Sequence, residues 1–176
     1  MAETYKVAVL AGDGIGPEIT QQALRVLRLI EQKRDVVFAC DEVEFGAAAY
    51  FSTGKAFPDA TKKACDEADA ILKGPIGLSH EESEKIPVEE RPERGALLPM
   101  RRRLNTYANF RPISLPKGMA HFSPLKPEIV SEGIDIMLIR ELIGGLYFGS
   151  KERGETEEGL RYVKESLDYD RSEERR

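Results

Sequence analysis

The sequence predicts an α/β fold with a largely parallel sheet flanked by helices. Residues 5–10 and 69–73 are short apolar segments of strand length, and stretches with helical periodicity lie between them. Alternating strands and helices favour parallel pairing, because each helix carries the chain back across the sheet. Ligands bind at the carboxyl ends of such strands, which here lead into two glycine-containing turns.

Composition excludes several classes of function. The chain has 176 residues, 41% of them hydrophobic, which is enough for a core, and its net charge of -5 argues against nucleic-acid binding. No apolar stretch reaches membrane-spanning length and no signal peptide begins the chain, so we expect no membrane association and a cytoplasmic location. Cys40, Cys65, His80 and His121 lack metal-ligand spacing, so they predict no metal site.

The first strand, residues 5–10, is followed by the turn AGDGIGP and then by a helix. Pro17 suits the first turn of that helix, and apolar residues recur on one of its faces as far as residue 30. Gly12, Gly14 and Gly16 have the spacing G-x-G-x-G-P and not G-x-G-x-x-G, and proline lacks a backbone donor. This pattern favours a tight turn at a cleft edge over a dinucleotide pyrophosphate site.

The remaining elements follow from periodicity and from glycine and proline positions. We expect strands in VVFAC and over residues 69–73, 109–113 and 134–141, and helices over residues 46–50, 59–68 and 127–132. The strands at 5–10 and 69–73 are expected to be buried on both faces. Residues 79–93 are highly charged and contain two prolines, so we expect a solvated loop there.

The carboxyl-terminal part of the chain is glycine-rich and charged, with few apolar residues after Val163. We expect a hairpin near residues 145–165, which cannot form a core by itself. Such a segment pairs with another chain or is disordered.

Positive charge gathers beside apolar residues in the segment GALLPMRRRLNTYANFRP, residues 95–112. Arg101 falls in a helical turn, Arg111 precedes a proline and is biased toward extended backbone, and Arg140 ends the apolar run 134–139. A cation closing a buried strand needs an anionic partner. We therefore expect these three arginines, with Tyr147, to converge on one carboxylate ligand, because guanidinium groups bind carboxylates through two hydrogen bonds.

Arg102 and Arg103, which follow Arg101 in the same segment, are expected to lie on a solvated face.

Four ordered motifs now define a resemblance: VAVLAGDGIGPE, ERGALLPMRRRLNTYANFRP, SPLK and IRELIGGLYFG. Together they resemble the β-decarboxylating dehydrogenases of the isocitrate/isopropylmalate dehydrogenase family, and most closely the branch that oxidises 3-isopropylmalate in leucine biosynthesis. The family chain is considerably longer, and this chain resembles its amino-terminal half. The resemblance implies NAD-dependent oxidative decarboxylation, with Mg2+ or Mn2+ bound by residues of the other half.

The resemblance also implies roles for individual residues. Arg101, Arg111 and Arg140 match positions that grip the malate carboxylates, and Tyr147 matches a catalytic phenol used in decarboxylation and enol protonation. Leu97 matches the position that packs on the variable side chain of the substrate, where leucine suits an isopropyl group.

Other positions match the cofactor side of the family site. Glu93 matches an acid close to the nicotinamide ribose, and Gly74 and Ile76 lie in a turn that borders NAD. In that turn KGPIGL departs from the family pattern, which puts its contacts in doubt.

For the chain as a whole, the resemblance implies an incomplete two-lobe architecture. Residues 1–99 would form part of the first α/β lobe, and residues 100–176 would begin the second lobe, with a dimerisation hairpin near 145–165. The expected partners are a small dicarboxylate and either a second copy, in a homodimer, or a complementary carboxyl-terminal half, without which the fragment should be inactive. Two alternatives stay open: a dehydrogenase for malate, tartrate or homoisocitrate, and a non-catalytic remnant.

Overall fold

A computed structural model of the chain describes residues 2–145 and 148–167. The chain divides into two compact units, Met1–Leu104 and Asn105–Arg176. The expected lobe boundary at residues 99 and 100 stays a prediction. The two units are described separately below.

The first unit contains a parallel sheet with helices in every connection. Its strands are β1 (Glu3–Leu10), β2 (Val36–Glu42) and β3 (Ala70–Lys73). Its helices are α1 (Gly16–Glu31), α2 (Ala47–Thr53), α3 (Asp59–Glu67), α4 (His80–Ser83) and α5 (Leu98–Arg103), with a 3-10 turn at Val88–Glu90 and a π-helical turn at Pro92–Leu97.

The sheet has the strand order β2-β1-β3, and both neighbours of β1 run parallel to it. This confirms the α/β class and the parallel pairing. The core lies on both sides of the second half of β1, because Ala8 and Leu10 pack into one buried cluster while Val7 and Val9 pack into another with Leu24 of α1.

Burial of the strands is less complete than the sequence predicts. In the expected strand at residues 5–10, Tyr5 is half-buried and Lys6 is exposed, and in β3 residues 71–73 are half-buried while Ala70 is exposed. In β3, Ile71 packs against one apolar cluster and Leu72 against the other, so both faces are covered in part, but the expectation that the strand is fully buried is wrong.

The expected solvated loop at residues 79–93 is also wrong in part, because much of it is helical. Ser79 caps α4 in a capping box with Glu82, whose backbone N–H and carboxylate both bond to the cap residue. Ile86 is buried, so this charged segment is anchored by one apolar side chain among its polar neighbours.

The second unit contains two antiparallel strand pairs. β4 (Ala108–Leu115) pairs with β5 (Ile134–Glu141), and the connection between them holds a 3-10 turn, Lys117–Phe122, and α6 (Pro127–Val130). β6 (Lys151–Glu155) pairs with β7 (Arg161–Glu165) in the predicted hairpin.

Both faces of the β4–β5 pair expose large apolar side chains. On one face Ile113 lies opposite Ile136, and on the other Phe110 lies opposite Ile139, and all four are at least half exposed. Two strands alone bury little apolar surface, so this pair depends on whatever covers it for most of its hydrophobic stabilisation.

None of the helices among the described residues is long and apolar enough to cross a membrane.

Candidate functional site

Two glycine turns pack against each other at the carboxyl-terminal edge of the parallel sheet. The turn after β1 contains Gly12, which has a φ of 78°, and the turn after β3 begins at Gly74. A Cβ atom on Gly12 would collide with the carbonyl oxygen of Pro75, and one on Gly74 would collide with that of Ala11. Glycine is therefore required at both positions by the close approach of the two turns.

Close backbone contacts explain why glycine is needed at Gly12 and Gly16, and no bound pyrophosphate has to be invoked. Gly16 approaches the Ala11 carbonyl so closely that any side chain would collide with it, and Pro17 contributes no N–H to the start of α1. Gly14, by contrast, faces open space. The structure thus supports the interpretation of AGDGIGP as a tight turn over that of a dinucleotide fingerprint.

Asp13 lies at the centre of this edge and is 6% exposed. Its carboxylate accepts hydrogen bonds from the backbone N–H groups of Ala48, at 2.9 Å, and Gly77, at 3.0 Å. Its own N–H donates to the Pro75 carbonyl at 2.9 Å. One side chain therefore joins the turn after β1, the start of α2 and the turn after β3, and its charge is balanced by backbone donors.

Lys73 ends β3 at the same edge and is half-buried. Its Nζ atom donates to the carbonyl oxygen of Gly74 at 2.7 Å. Burial lowers the pKa of the Lys73 ammonium, the neighbouring Arg101 lowers it further, and Asp13 raises it by a smaller amount.

The arginine run of the first unit lies on α5. Arg101 is half-buried, while Arg102 and Arg103 are exposed, as expected of a solvated face. Arg103 also donates from Nε to the Asp66 carboxylate of α3 at 2.8 Å, and a second bond from the same guanidinium makes the pair bidentate. The hydrogen bonds from Arg103 hold the pKa of the Asp66 carboxyl below its usual value.

The other site residues predicted in the first unit lie in the π-helical turn and the second glycine turn. Glu93 is exposed, and Leu97 is half-buried and packs against the main apolar cluster of the unit. Ile76 packs against the same cluster, and Gly74 is buried against Ala11. Their roles toward substrate and NAD stay predictions.

Arg111 and Arg140 lie on one face of the β4–β5 pair. Asn109 is directly opposite Arg140, and Arg111 is two positions further along the same strand, so all three side chains point to one side. Arg111 donates from Nε to the Asn109 side-chain oxygen at 2.7 Å. The pair thus brings these two arginines together, while Arg101 belongs to the other unit, and the convergence of all three stays a prediction.

The burial argument for Arg140 is wrong. Arg140 and its neighbour Ile139 are both exposed, because the strand has apolar side chains open to solvent on each face. Burial therefore gives no reason to expect an anionic partner for Arg140, and its case as a ligand-binding residue rests on its position beside Arg111.

The contacts described above do not test two predictions about the site, which concern Tyr147 and metal ligands. Tyr147 lies outside the described residues. Within residues 2–145 and 148–167, no group of three or more His, Cys, Asp or Glu side chains is placed to hold a metal ion.

Sequence reasoning missed Asp13 and Lys73. The signal for Asp13 was its place between two glycines in GDG, where a short acceptor can reach neighbouring amides. The signal for Lys73 was a charged residue at the end of a short apolar strand, at the point where the motif departs from the family pattern.

Comparisons with known proteins agree with the fold and the motifs. Residues 6–176 match the model of the isocitrate/isopropylmalate dehydrogenase family. Two relatives named 3-isopropylmalate dehydrogenase are from Campylobacter jejuni, 45% identical over 86% of this chain, and Vibrio cholerae, 46% identical over 87%. In each case the match spans only 42% of the relative.

Solved structures give the same result. The isocitrate dehydrogenase of Methylococcus capsulatus superposes with a TM-score of 0.69 at 26% identity, over 96% of this chain and 43% of that one. A β-decarboxylating dehydrogenase from Thermococcus kodakarensis superposes with a TM-score of 0.59 at 25% identity, over 93% of this chain and 41% of that one. The chain thus spans less than half the length of these proteins, and it belongs to the isocitrate/isopropylmalate dehydrogenase family.

Proposed function

We propose that this chain contributes the substrate-binding arginines and one cofactor edge of an enzyme that oxidises and decarboxylates 3-isopropylmalate with NAD, in leucine biosynthesis. The observation that carries the proposal is the identity of about half the aligned residues to relatives with that name, 45% and 46% in two cases. Because the match covers 42% of each relative, the activity is proposed for the chain together with a partner segment that supplies the rest.

The arrangement on the β4–β5 pair fits a dicarboxylate. Arg111 and Arg140 present two planar guanidinium groups on one face, and Asn109 orients Arg111 by accepting from its Nε. Within the part of the chain that the structure describes, the terminal nitrogens of Arg111 make no hydrogen bond and can face a ligand. Each carboxylate of a malate-type substrate can accept two parallel hydrogen bonds from such a group.

Leu97 supports isopropylmalate over isocitrate as the substrate. It lies in the π-helical turn directly before α5, which carries Arg101, and it is half-buried with part of its surface open. An apolar residue there would pack on an isopropyl group, whereas a third carboxylate would need polar partners. A 2-hydroxy acid such as malate, tartrate or homoisocitrate is the alternative substrate.

NAD and a divalent metal are implied by the family. NAD accepts the hydride when bound, and Glu93 with the turn at Gly74 and Ile76 would border its nicotinamide end. Mg2+ or Mn2+ needs several oxygen ligands, and the described residues contain no cluster able to supply them. We therefore assign no metal ligand and no metal-dependent step to this chain.

The partner is proposed to be a carboxyl-terminal segment or a second copy of the complete enzyme, with the β6–β7 hairpin as the dimer contact. The proposed location of the enzyme is the cytoplasm.

The test is an assay of NAD reduction with Mn2+ present. This chain is assayed alone and after mixing with the segment of the Campylobacter jejuni relative that lies beyond the matched part. We expect no activity from either piece and activity from the mixture, greatest with 3-isopropylmalate. Equal rates with isocitrate would refute the substrate assignment.

A second candidate is a non-catalytic protein that binds a dicarboxylate. It is supported by the position of Arg111 and Arg140 on one face of the β4–β5 pair, an arrangement that can bind a dicarboxylate without catalysis. Calorimetric binding of isopropylmalate by the chain alone, with no activity in any mixture, would support this alternative.

A further inference from the structure

Helix α1 has a second apolar face besides the one that packs on the sheet. The residues that face the sheet are buried, among them Gly16, Thr20 and Leu24. Five large apolar residues on another side of the helix are between 38% and 66% exposed: Ile15, Ile19, Val26, Leu29 and Ile30. We call this side the exposed face of α1. A surface helix needs one apolar stripe for its own core, so a second, exposed stripe marks a contact surface.

The exposed face has the spacing of a coiled-coil seam. Along it lie Ile15, Ile19, Gln22, Val26 and Leu29, which follow one another at alternating steps of four and three residues. Heptad spacing of this kind lines up side chains that interlock with a second helix of the same spacing. Gln22 is the polar member near the middle, and a polar residue within an apolar seam fixes the register of the pair.

The charges beside this seam favour a copy of the same helix that runs in the opposite direction. Glu18 and Arg25 are seven residues apart, which is close to two helical turns, so they lie on the same side of the seam. Arg25 donates to the side-chain oxygen of Gln22 at 2.8 Å, which holds its guanidinium group beside the seam. In an antiparallel pair Glu18 of one copy comes alongside Arg25 of the other, whereas a parallel pair places like charges at the same level.

We propose that two copies of this chain associate through the exposed face of α1, packed antiparallel about a two-fold axis close to Gln22. This contact goes beyond the proposed function and is separate from the β6–β7 hairpin. The seam from Ile15 to Leu29 is about 21 Å long at 1.5 Å per residue, so we expect a reversible dimer that depends on protein concentration.

Site-specific cross-linking of the whole chain tests this contact. The background is Cys40→Ser, which removes the exposed thiol, while Cys65 is buried. Gln22→Cys places a thiol in the middle of the seam, and Gln21→Cys, on the flank that faces Glu42 of β2, is the matched control. We expect a short bismaleimide to link two copies through position 22 about tenfold faster than through position 21, because pairing holds the two thiols at high effective concentration.

Further variants test the apolar seam and the orientation of the pair. Val26→Lys should lower the rate of linking through position 22 about tenfold, because a charge would be buried in the seam. Val37→Lys, at an exposed valine on β2, is its control and should match the parent. Glu18→Arg should also slow the linking, and adding Arg25→Glu should restore it, since the exchanged charges pair again in an antiparallel arrangement.

Equal rates at positions 22 and 21, or no effect of Val26→Lys, would overturn the proposal. Absence of linking through position 22, together with binding of the Campylobacter jejuni segment by the parent chain but not by Val26→Lys, would also overturn it and would assign the exposed face of α1 to that segment. No turnover is measured in these experiments, so the failure of the proposed function is seen separately.

Discussion

Asp13 carries a buried negative charge whose hydrogen-bond partners among the described residues are backbone amides and not cations. Two N–H groups, from Ala48 and Gly77, point at its two oxygens. Ala48 lies in the first turn of α2, where N–H groups lack partners inside the helix. The side chain therefore acts as a cap from a distant part of the chain, while Gly46, which precedes α2, has no side chain to do so.

Asp13→Asn should destabilise the first unit by about 1.5–3 kcal/mol, because an amide NH2 group would face one of the two backbone donors. Urea unfolding followed by circular dichroism measures the change. Asp35→Asn is the control, since Asp35 is exposed and has no side-chain partner among the described residues. Equal midpoints for Asp13→Asn and the parent would contradict this role for the carboxylate.

The Asp66–Arg103 pair gives the first unit a defined pH dependence. Because the pKa of Asp66 is lowered in the folded state, its stabilising effect is complete above the unfolded pKa of about 3.9 and is lost as the pH falls through the folded value. Between pH 6 and pH 2, the free energy of unfolding should therefore decrease less with falling pH in Asp66→Asn than in the parent. An equal pH dependence of the free energy of unfolding in the two proteins would show that the Asp66–Arg103 pair does not contribute to it.

Arg111→Lys and Arg140→Lys test the proposed dicarboxylate clamp. Each keeps the cation but loses the planar fork, so kcat/KM for isopropylmalate in the reconstituted mixture should fall at least about tenfold, or 1.4 kcal/mol. Arg34→Lys, at an exposed position in the turn between α1 and β2, is the matched control. Activity at the parent level in both variants would show that the two arginines are ordinary surface residues.

The sequence alone identifies the arginines but not their surroundings. Charge beside apolar residues is visible in the sequence, and the placement of Arg101 on a helix and of Arg111 on a strand could be predicted. The partners of Asp13 lie 35 and 64 residues away, and no local pattern connects them. The exposure of Arg140 was missed because an apolar run predicts burial only when the chain also provides a cover.

At the level of elements, periodicity predicts the regular helices and strands well. β5 has the bounds expected, and the helix ending at Gly54 stops there because Gly54 adopts the left-handed conformation, with a φ of 80°. The segment from Ser79 to Leu97 could not be predicted, because its short α, 3-10 and π turns are too brief to show a period.

The contact between the two glycine turns predicts that two glycine-to-alanine mutations differ strongly in their effect on stability. Gly74→Ala places a Cβ against the Ala11 carbonyl oxygen and 2.9 Å from Thr20 Oγ1, so it should cost at least about 1–3 kcal/mol of overpacking. Gly118→Ala meets nothing within 4 Å and should be neutral or slightly stabilising. Thermal unfolding of the two variants gives the comparison, and equal melting temperatures would refute the tight contact.

Across the whole molecule, apolar surface is distributed unevenly. The first unit has a buried core on both sides of β1, whereas the β4–β5 pair of the second unit exposes apolar side chains on each face. For the strands, the shortage of cover lies mainly in the second unit. The few apolar residues that follow Val163 indicate such a shortage from the sequence alone. Only the strand register shows which faces of the β4–β5 pair are uncovered.

Exposed apolar strands should make the isolated chain associate with itself and bind hydrophobic dyes. Phe110→Thr combined with Ile139→Thr replaces one opposed pair, 62% and 61% exposed, and should lower both dye fluorescence and the apparent mass in light scattering. Phe122→Thr, 70% exposed outside the sheet, is the control and should change neither property as much. A monodisperse parent chain that binds no dye would refute the prediction.

The bonds of Asp13 limit how the turn at residues 74–77 can be exchanged between proteins. A transplanted loop has to keep glycine at 74 and a backbone N–H at 77, where a φ of 140° also favours glycine, so proline is excluded there. Position 48, in another part of the chain, is under the same restriction. A loop swap designed from residues 74–77 alone would fail unless the recipient has compatible residues at positions 12, 13 and 48. The residues that have to be exchanged together at this edge are therefore not contiguous in the sequence.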